Sequence, residues 1–239
     1  MRLSQSGQSR ILSLEIKKRF EVVQQRIRDA ENKAGRLSHA VRLIAVSKTQ
    51  PAEAIREAYA LGQRDFGENY LQEALAKQEL LKDLGDIVWH FIGPIQSNKT
   101  RLIAENFDWV HAVDRVKTAE RLDQQRPLDL LPLNVCIQVN VSEESSKSGV
   151  DLLELPRLAD QIHTLQRLCL RGLMTIPAPI DPSALDPGKP FRCLREAAQS
   201  LPISMDSLSM GMSDDLEWAI REGATWVRIG TALFGPRRP

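Results

Sequence analysis

Leu43–Pro51 reads "LIAVSKTQP", and the reading of these nine residues decides the fold. Four apolar residues and a serine run straight into Lys48. A strand with one wet face alternates polar and apolar side chains. This one does not, so both of its faces are expected to be covered, as in a parallel sheet flanked by helices. Pro51 suits the first turn of a helix, and "AEAIREAYAL" carries that helix to a stop at Gly62. The unit is strand, turn, helix, with a lysine at the carboxyl end of the strand. Lysine is among the residues least often buried without a partner. Two chemistries fit Lys48. It can reach solvent and pair with a carboxylate. It can also be a desolvated amine of lowered pKa that forms a Schiff base with a carbonyl.

The same alternation continues outward from this unit. "RDFGEN", "IVWHFIG", "WVHAVD", "LNVCIQVNV", "LRGLMTI", "ISMDSLSM" and "WVRIG" read as strands, the fifth of these eight being rich in β-branched residues. Between them lie segments of helical spacing. Strands alternating with helices imply parallel pairing and right-handed crossovers. Eight strands in 239 residues point to a closed (β/α)8 barrel of the TIM type; a doubly wound open sheet is the second reading. In front, residues 10–34 carry an apolar stripe of Leu12, Ile16, Phe20, Val23, Ile27 and Ala30, stopped by Gly35. Residues 1–36 are expected to be an extra helix packed on the barrel. No break in composition marks a second domain, so 1–239 is read as one domain.

Composition narrows the function classes. Lys and Arg total 32 against 31 Asp and Glu, a net charge of +1, so no global field argues for nucleic acid. The three cysteines, Cys136, Cys169 and Cys193, are scattered without a C-x-x-C pair, which argues against zinc and disulfides and for a reducing cytoplasm. No apolar run approaches the ~20 residues that cross a bilayer, and the first residues lack a signal-peptide core. No histidine pair has metal spacing; His90 and His111 are read as satisfied core residues.

In a barrel of this kind the chemistry sits at the carboxyl ends of the strands. That brings Lys48, Asn69, Gln96–Asn98, Met174–Pro177, Ser209–Ser213 and Arg228–Thr231 to one mouth. Asn69 fits either a plain turn or a bond to a ligand hydroxyl. In "SMGMSDDLEWAIREG", Ser213 or Asp214 can cap a helix, and Asp214 with Glu217 has capping-box spacing. Such a helix start also attracts phosphate. Gly230 and Thr231, directly after the last strand, let backbone amides approach a phosphate closely. Arg228 alternates with Val227 and Ile229 and should point into the barrel. A buried arginine needs a partner: an acid such as Asp206, or an acceptor on a ligand. The segment 176–190, with five prolines, reads as a stiffened surface loop or a lid.

The segments "LIAVSKTQP", "FGENYLQEALAK", "WHFIGPIQSNK", "LRGLMTIP" and "LSMGMSDDLEWAIREGATWVRIGTALFG" resemble the pyridoxal-phosphate homeostasis protein family, whose fold is similar to the amino-terminal barrel of alanine racemase. The resemblance implies pyridoxal 5'-phosphate held on Lys48 as an internal aldimine. Ser213, Gly230 and Thr231 would form the phosphate cradle, Arg228 would face the pyridine nitrogen, and Asn69 would lie beside the ring. It implies a carrier acting in vitamin B6 and amino-acid homeostasis, with pyridoxal-phosphate-dependent apo-enzymes as recipients and no residue in a catalytic role; the absence of the racemases' additional β domain favours a monomer, and the cysteine pattern a cytoplasmic one. An arginine cannot hand the ring a proton as an aspartic acid can, which limits carbanion chemistry. An amino-acid racemase is the alternative, and a cofactor-free Schiff-base aldolase a third reading. A racemase needs a second acid/base opposite the lysine. Of the two tyrosines, Tyr59 and Tyr70, only Tyr70 is a candidate.

Overall fold

The computed structural model describes residues 5–142, 148–179 and 185–236. Its eight strands are β1 (Arg42–Val46), β2 (Asp65–Glu68), β3 (Val88–Phe91), β4 (Trp109–Val113), β5 (Leu133–Gln138), β6 (Leu168–Met174), β7 (Ser207–Ser209) and β8 (Trp226–Ile229). All pair in parallel with their sequence neighbours, and β1 pairs with β8, Ile44 opposite Arg228, to close the barrel. The open-sheet alternative is thereby set aside. Helices α2 (Ala52–Ala60), α3 (Leu71–Leu80), α4 (Thr100–Asn106), α5 (Val116–Gln125), α6 (Leu155–His163), α7 (Lys189–Ser200) and α8 (Leu216–Arg221) separate the strands. A short α9 (Thr231–Phe234) follows β8; four residues are too few to show a helical period in the sequence. No described helix is long and apolar enough to cross a membrane.

Strand side chains alternate between two environments. Leu43, Ala45, Phe66, Val227 and Ile229 face the helices and join the main core. Ile44, Trp109, Cys136, Met174 and Trp226 turn inward and form a separate cluster inside the barrel. This inside-outside parity sends Val46, Lys48, Arg228 and Gly230 to the mouth.

The front helix α1 (Gln5–Lys33) packs on α2, α8 and α9. Ile16, Val23, Ile27 and Ala30 of the expected stripe are buried; the Leu12 side chain lies outside the described residues. Gly35 ends the helix at φ +65°, a conformation that suits glycine. Arg36 donates to the carbonyls of Ile220 and Ala224. Arg26 pairs with Glu217 at 2.7 Å and donates to the Ser213 carbonyl at 3.0 Å. The front helix is therefore bolted to the loop that follows β7. In the proline-rich connection, residues 180–184 lie outside the described ones.

Candidate functional site

A cavity of about 530 Å³ opens at the carboxyl ends of the strands. Lys48, Asn69, Ser213, Arg228, Gly230 and Thr231, the six residues singled out in the sequence, all line it, with Arg26, Val46, Ile92 and Ile176 among the others. Gln96–Asn98 do not: all three are exposed on the loop after β3, and Ile92, directly after the strand, takes the place at the rim. Among the described residues no group of three His, Cys, Asp or Glu could hold a metal ion.

Lys48 stands two residues past the end of β1, half buried. Its backbone is fixed from the helix side. Ser47, fully buried, donates through Oγ to Glu68 at 2.7 Å. Lys77 of α3 donates to the Ser47 carbonyl at 2.7 Å and to Glu68 at 2.7 Å, and pairs with Glu73 at 2.6 Å. Glu73 in turn accepts the Thr49 N–H at 2.6 Å. Thr49 holds φ +63°, a position a β-branched residue seldom takes. Burial raises the Glu68 carboxyl above the usual range, against the pull of Lys77 and Ser47, and its Oε2 is buried without a partner. The sequence reading missed this cluster. A charged Lys77 on the face of α3 turned to β2 is its only trace, and helical spacing does not separate such a lysine from a surface one.

Arg228 does point inward, and it is 4% exposed. Its partner is not Asp206, which pairs with Arg171 at 2.6 Å instead. Arg228 donates from Nη1 to the Ser209 carbonyl (2.6 Å) and Oγ (2.8 Å), and from Nη2 to the Thr175 carbonyl (2.8 Å). Asp206 stands before β7, at the opposite end of the strand from Ser209, which is why it cannot reach. Three bonds to neutral acceptors use three of its five N–H groups, and the residue lines the cavity. Burial brings its pKa down to about 10, so the group remains a cation at neutral pH.

The expected helix cap is displaced by one or two residues. Asp215, not Ser213 or Asp214, occupies the cap position of α8, and its carboxylate accepts the Met212 N–H at 2.5 Å. Glu217 is taken by Arg26, so no capping box forms with Asp214. Ser213 instead faces α9, where Oγ accepts the Ala232 N–H at 3.3 Å. The loop after β7 and the start of α9 are thus joined beside Gly230 and Thr231.

The cavity therefore combines a primary amine, a buried guanidinium and two linked loops rich in backbone amides. Asn69 adds a buried Oδ1 with no protein partner, an acceptor open to a water or a ligand. An amine condenses with an aldehyde, the loops suit an anion, and Arg228 suits a hydrogen-bond acceptor. The residues present fit a phosphorylated aromatic aldehyde.

Residues 21–238 match the family model for the alanine racemase N-terminal domain. A relative from Pseudomonas aeruginosa, named pyridoxal phosphate homeostasis protein, is 63% identical over 212 residues, covering 89% of this chain and 91% of its own length. A relative of the same name from Escherichia coli K12 is 50% identical over 223 residues, covering 90% of this chain and 94% of its own. The chain belongs to the pyridoxal phosphate homeostasis protein family. The solved structure of PipY from Synechococcus elongatus with pyridoxal phosphate bound aligns with a TM-score of 0.76 at 44% identity, over 87% of this chain and all of that one. Alanine racemase from Corynebacterium glutamicum aligns with a TM-score of 0.64 at 18% identity, over 89% of this chain and 60% of that one. That last likeness is one of fold.

Proposed function

We propose that this chain, as one domain, binds pyridoxal 5'-phosphate in the cavity at the barrel mouth, with Lys48 as the Schiff-base lysine. Its role is to hold and supply the cofactor in vitamin B6 and amino-acid homeostasis, as a cytoplasmic monomer with pyridoxal-phosphate-dependent apo-enzymes as recipients. The observation that carries this reading is the convergence of Lys48, Arg228, Asn69 and the Ser213–Ala232 junction on one cavity. Ser213, Gly230 and Thr231 would hold the phosphate, and Arg228 the ring nitrogen. Bound pyridoxal phosphate supplies electrophilic carbonyl chemistry and an electron sink. Arg228 keeps a donor, not an acid, against the acceptor it meets, which suits storage better than carbanion formation.

Neither tyrosine supplies the racemase reading with a second acid/base. Tyr59 donates its hydroxyl to Asp86 on the outside of the barrel. Tyr70 is 54% exposed and is not among the residues lining the cavity.

The test is absorbance of the purified protein before and after adding pyridoxal phosphate, then borohydride reduction and peptide mapping. A visible or near-visible band with label on Lys48, both lost in Lys48→Ala, is the expected result. Label on another lysine overturns the site, and no band at all favours the aldolase reading. Racemization of alanine at ordinary enzymatic rates, lost in Lys48→Ala, overturns the carrier role.

A further inference from the structure

Inside the barrel, beneath the cavity, runs an unbroken chain of hydrogen bonds. Asp65 Oδ1 lies 3.0 Å from His90 Nε2, and His90 Nδ1 lies 2.9 Å from His111 Nε2. His111 Nδ1 lies 2.9 Å from Ser209 Oγ, which also accepts from Arg228 Nη1 at 2.8 Å. Five strands contribute one residue each. His90, His111 and Ser209 are fully buried. Trp109 stacks on the His90 ring at 5.6 Å and 15°, and Trp226 meets it edge-on at 5.2 Å. The imidazole planes are thus held by packing as well as by polar contacts. At the far rim Asp65 pairs with Arg42 at 3.1 Å, and Arg42 is open to solvent.

The chemistry of the two ends gives this chain one direction. A guanidinium only donates and a carboxylate only accepts. A neutral imidazole carries one N–H, and burial keeps both rings neutral. The ring nitrogen facing Asp65 must then be the protonated one, so His90 carries its proton on Nε2. His90 Nδ1 is left as an acceptor, which requires the His111 proton on Nε2. His111 Nδ1 then accepts the Ser209 hydroxyl proton. With that proton committed, the lone pairs of Ser209 Oγ are left for Arg228. In the reverse direction no proton would lie between His90 Nε2 and the Asp65 carboxylate, and Ser209 Oγ would accept from both His111 and Arg228 while its own proton lost its acceptor.

We propose that Asp65 is a positioning residue for Arg228: through His90, His111 and Ser209 it sets the donor direction of the chain, and with it the N–H groups that Arg228 turns to the cavity. The direction concerns the protein alone; its effect on a bound molecule rests on the pyridoxal phosphate reading above.

Long-range ¹H–¹⁵N spectra of the unliganded protein read the direction. The chain has four histidines, and His39 and His163 are exposed, so the two buried rings stand apart. Both buried rings are expected as Nε2–H tautomers. Asp65→Asn, whose amide can donate where the carboxylate only accepted, is expected to move His90 and His111 to Nδ1–H or to a mixture. Arg42→Met removes the other partner of Asp65 and should leave both tautomers in place. An Nδ1–H on either ring of the unsubstituted protein overturns the proposal, even if Asp65→Asn does not fold; so do unchanged tautomers in a folded Asp65→Asn. With pyridoxal phosphate added, Asp65→Asn should shift the bound absorbance band and weaken affinity about 3- to 10-fold, the scale of one hydrogen bond. Arg42→Met should do neither, although both variants lose some thermal stability. An unmoved band and affinity in Asp65→Asn overturn the link to Arg228. If the unsubstituted protein takes up no pyridoxal phosphate, the cofactor reading fails, and the tautomers still decide the direction of the chain.

Discussion

Lys77 Nζ lies 2.7 Å from the carbonyl oxygen of Ser47, the residue immediately before Lys48. The same ammonium meets Glu68 and Glu73, which hold the Ser47 hydroxyl and the Thr49 N–H. A lysine on one helix thus sets the backbone on either side of another lysine. Lys77→Met would leave Glu68, which is 0% exposed, without its counter-charge. Removing one partner of a buried pair costs about 3–5 kcal/mol. Urea unfolding should show a loss of that size, and Lys77→Met combined with Glu68→Leu should recover part of it. A loss below about 1 kcal/mol for Lys77→Met would mean the cluster is solvated.

Thr49 is strained at φ +63°, which costs about 1–3 kcal/mol for a residue of this kind. Thr49→Gly should raise stability by about 1 kcal/mol after the added chain entropy of glycine is counted. The same variant should loosen the hold on the adjacent Lys48. Thermal unfolding and the yield of borohydride-trapped cofactor measure the two effects; they are expected to move in opposite directions.

Burial holds the pKa of His90 below its ordinary value and that of His111 well below. His90 feels Asp65, Asp108 and Arg42; His111 feels His90 and Arg228. The unfolded chain takes up these protons below about pH 6.5 while the folded chain does not. Stability is therefore fully present above that pH and falls as the solution is acidified toward the folded values. Each ring contributes a slope of at most about 1.4 kcal/mol per pH unit. His111→Gln should remove one ring's share of the slope between about pH 6.5 and 5.5. Parallel curves for the variant and the unsubstituted protein would contradict a neutral, buried His111.

Arg26 should matter more to binding than to folding. Its pair with Glu217 is partly exposed, and such pairs contribute about 0–1 kcal/mol. Its bond to the Ser213 carbonyl, however, steadies the loop proposed to hold phosphate. Arg26→Ala should leave urea unfolding within about 1 kcal/mol of the unsubstituted protein and weaken pyridoxal phosphate binding several-fold. Equal affinity would remove α1 from the binding account.

Gly172 sits where β6 meets β7, and a Cβ there would lie 1.7 Å from the Ser207 carbonyl oxygen. Backbone cannot yield as a flexible side chain does. Gly172→Ala should cost about 3 kcal/mol or more, at the upper end for overpacking, read by thermal unfolding.

The barrel was legible because its strands lack alternation and its helices keep their period. Those are local signals, and "LIAVSKTQP" carries both within a few residues of each other. The mouth followed from the fold, since carboxyl ends of parallel strands converge whatever their sequence. What the sequence did not disclose is pairing across distance. Arg228 lies 19 residues from Ser209 and 53 from Thr175, and the choice of these over Asp206 depends on which end of β7 faces the mouth. The displaced cap at Asp215 has a similar origin. Three neighbouring polar residues could all start the helix, and the tie of Ser213 to Ala232 decides among them. His90 and His111 were rightly read as satisfied, but no spacing reveals that they satisfy each other.

The front helix rests on elements far from it in the chain. α1 packs on α8 and α9 as well as on α2, and β1 pairs with β8 as well as with β2, so neither is fully covered until residues 216–234 are in place. A nascent chain can form its early strand–helix units but not a finished mouth. A chain cut short anywhere before β8 would keep Lys48 but lack Arg228, Gly230 and Thr231, the residues that close the cavity beside it.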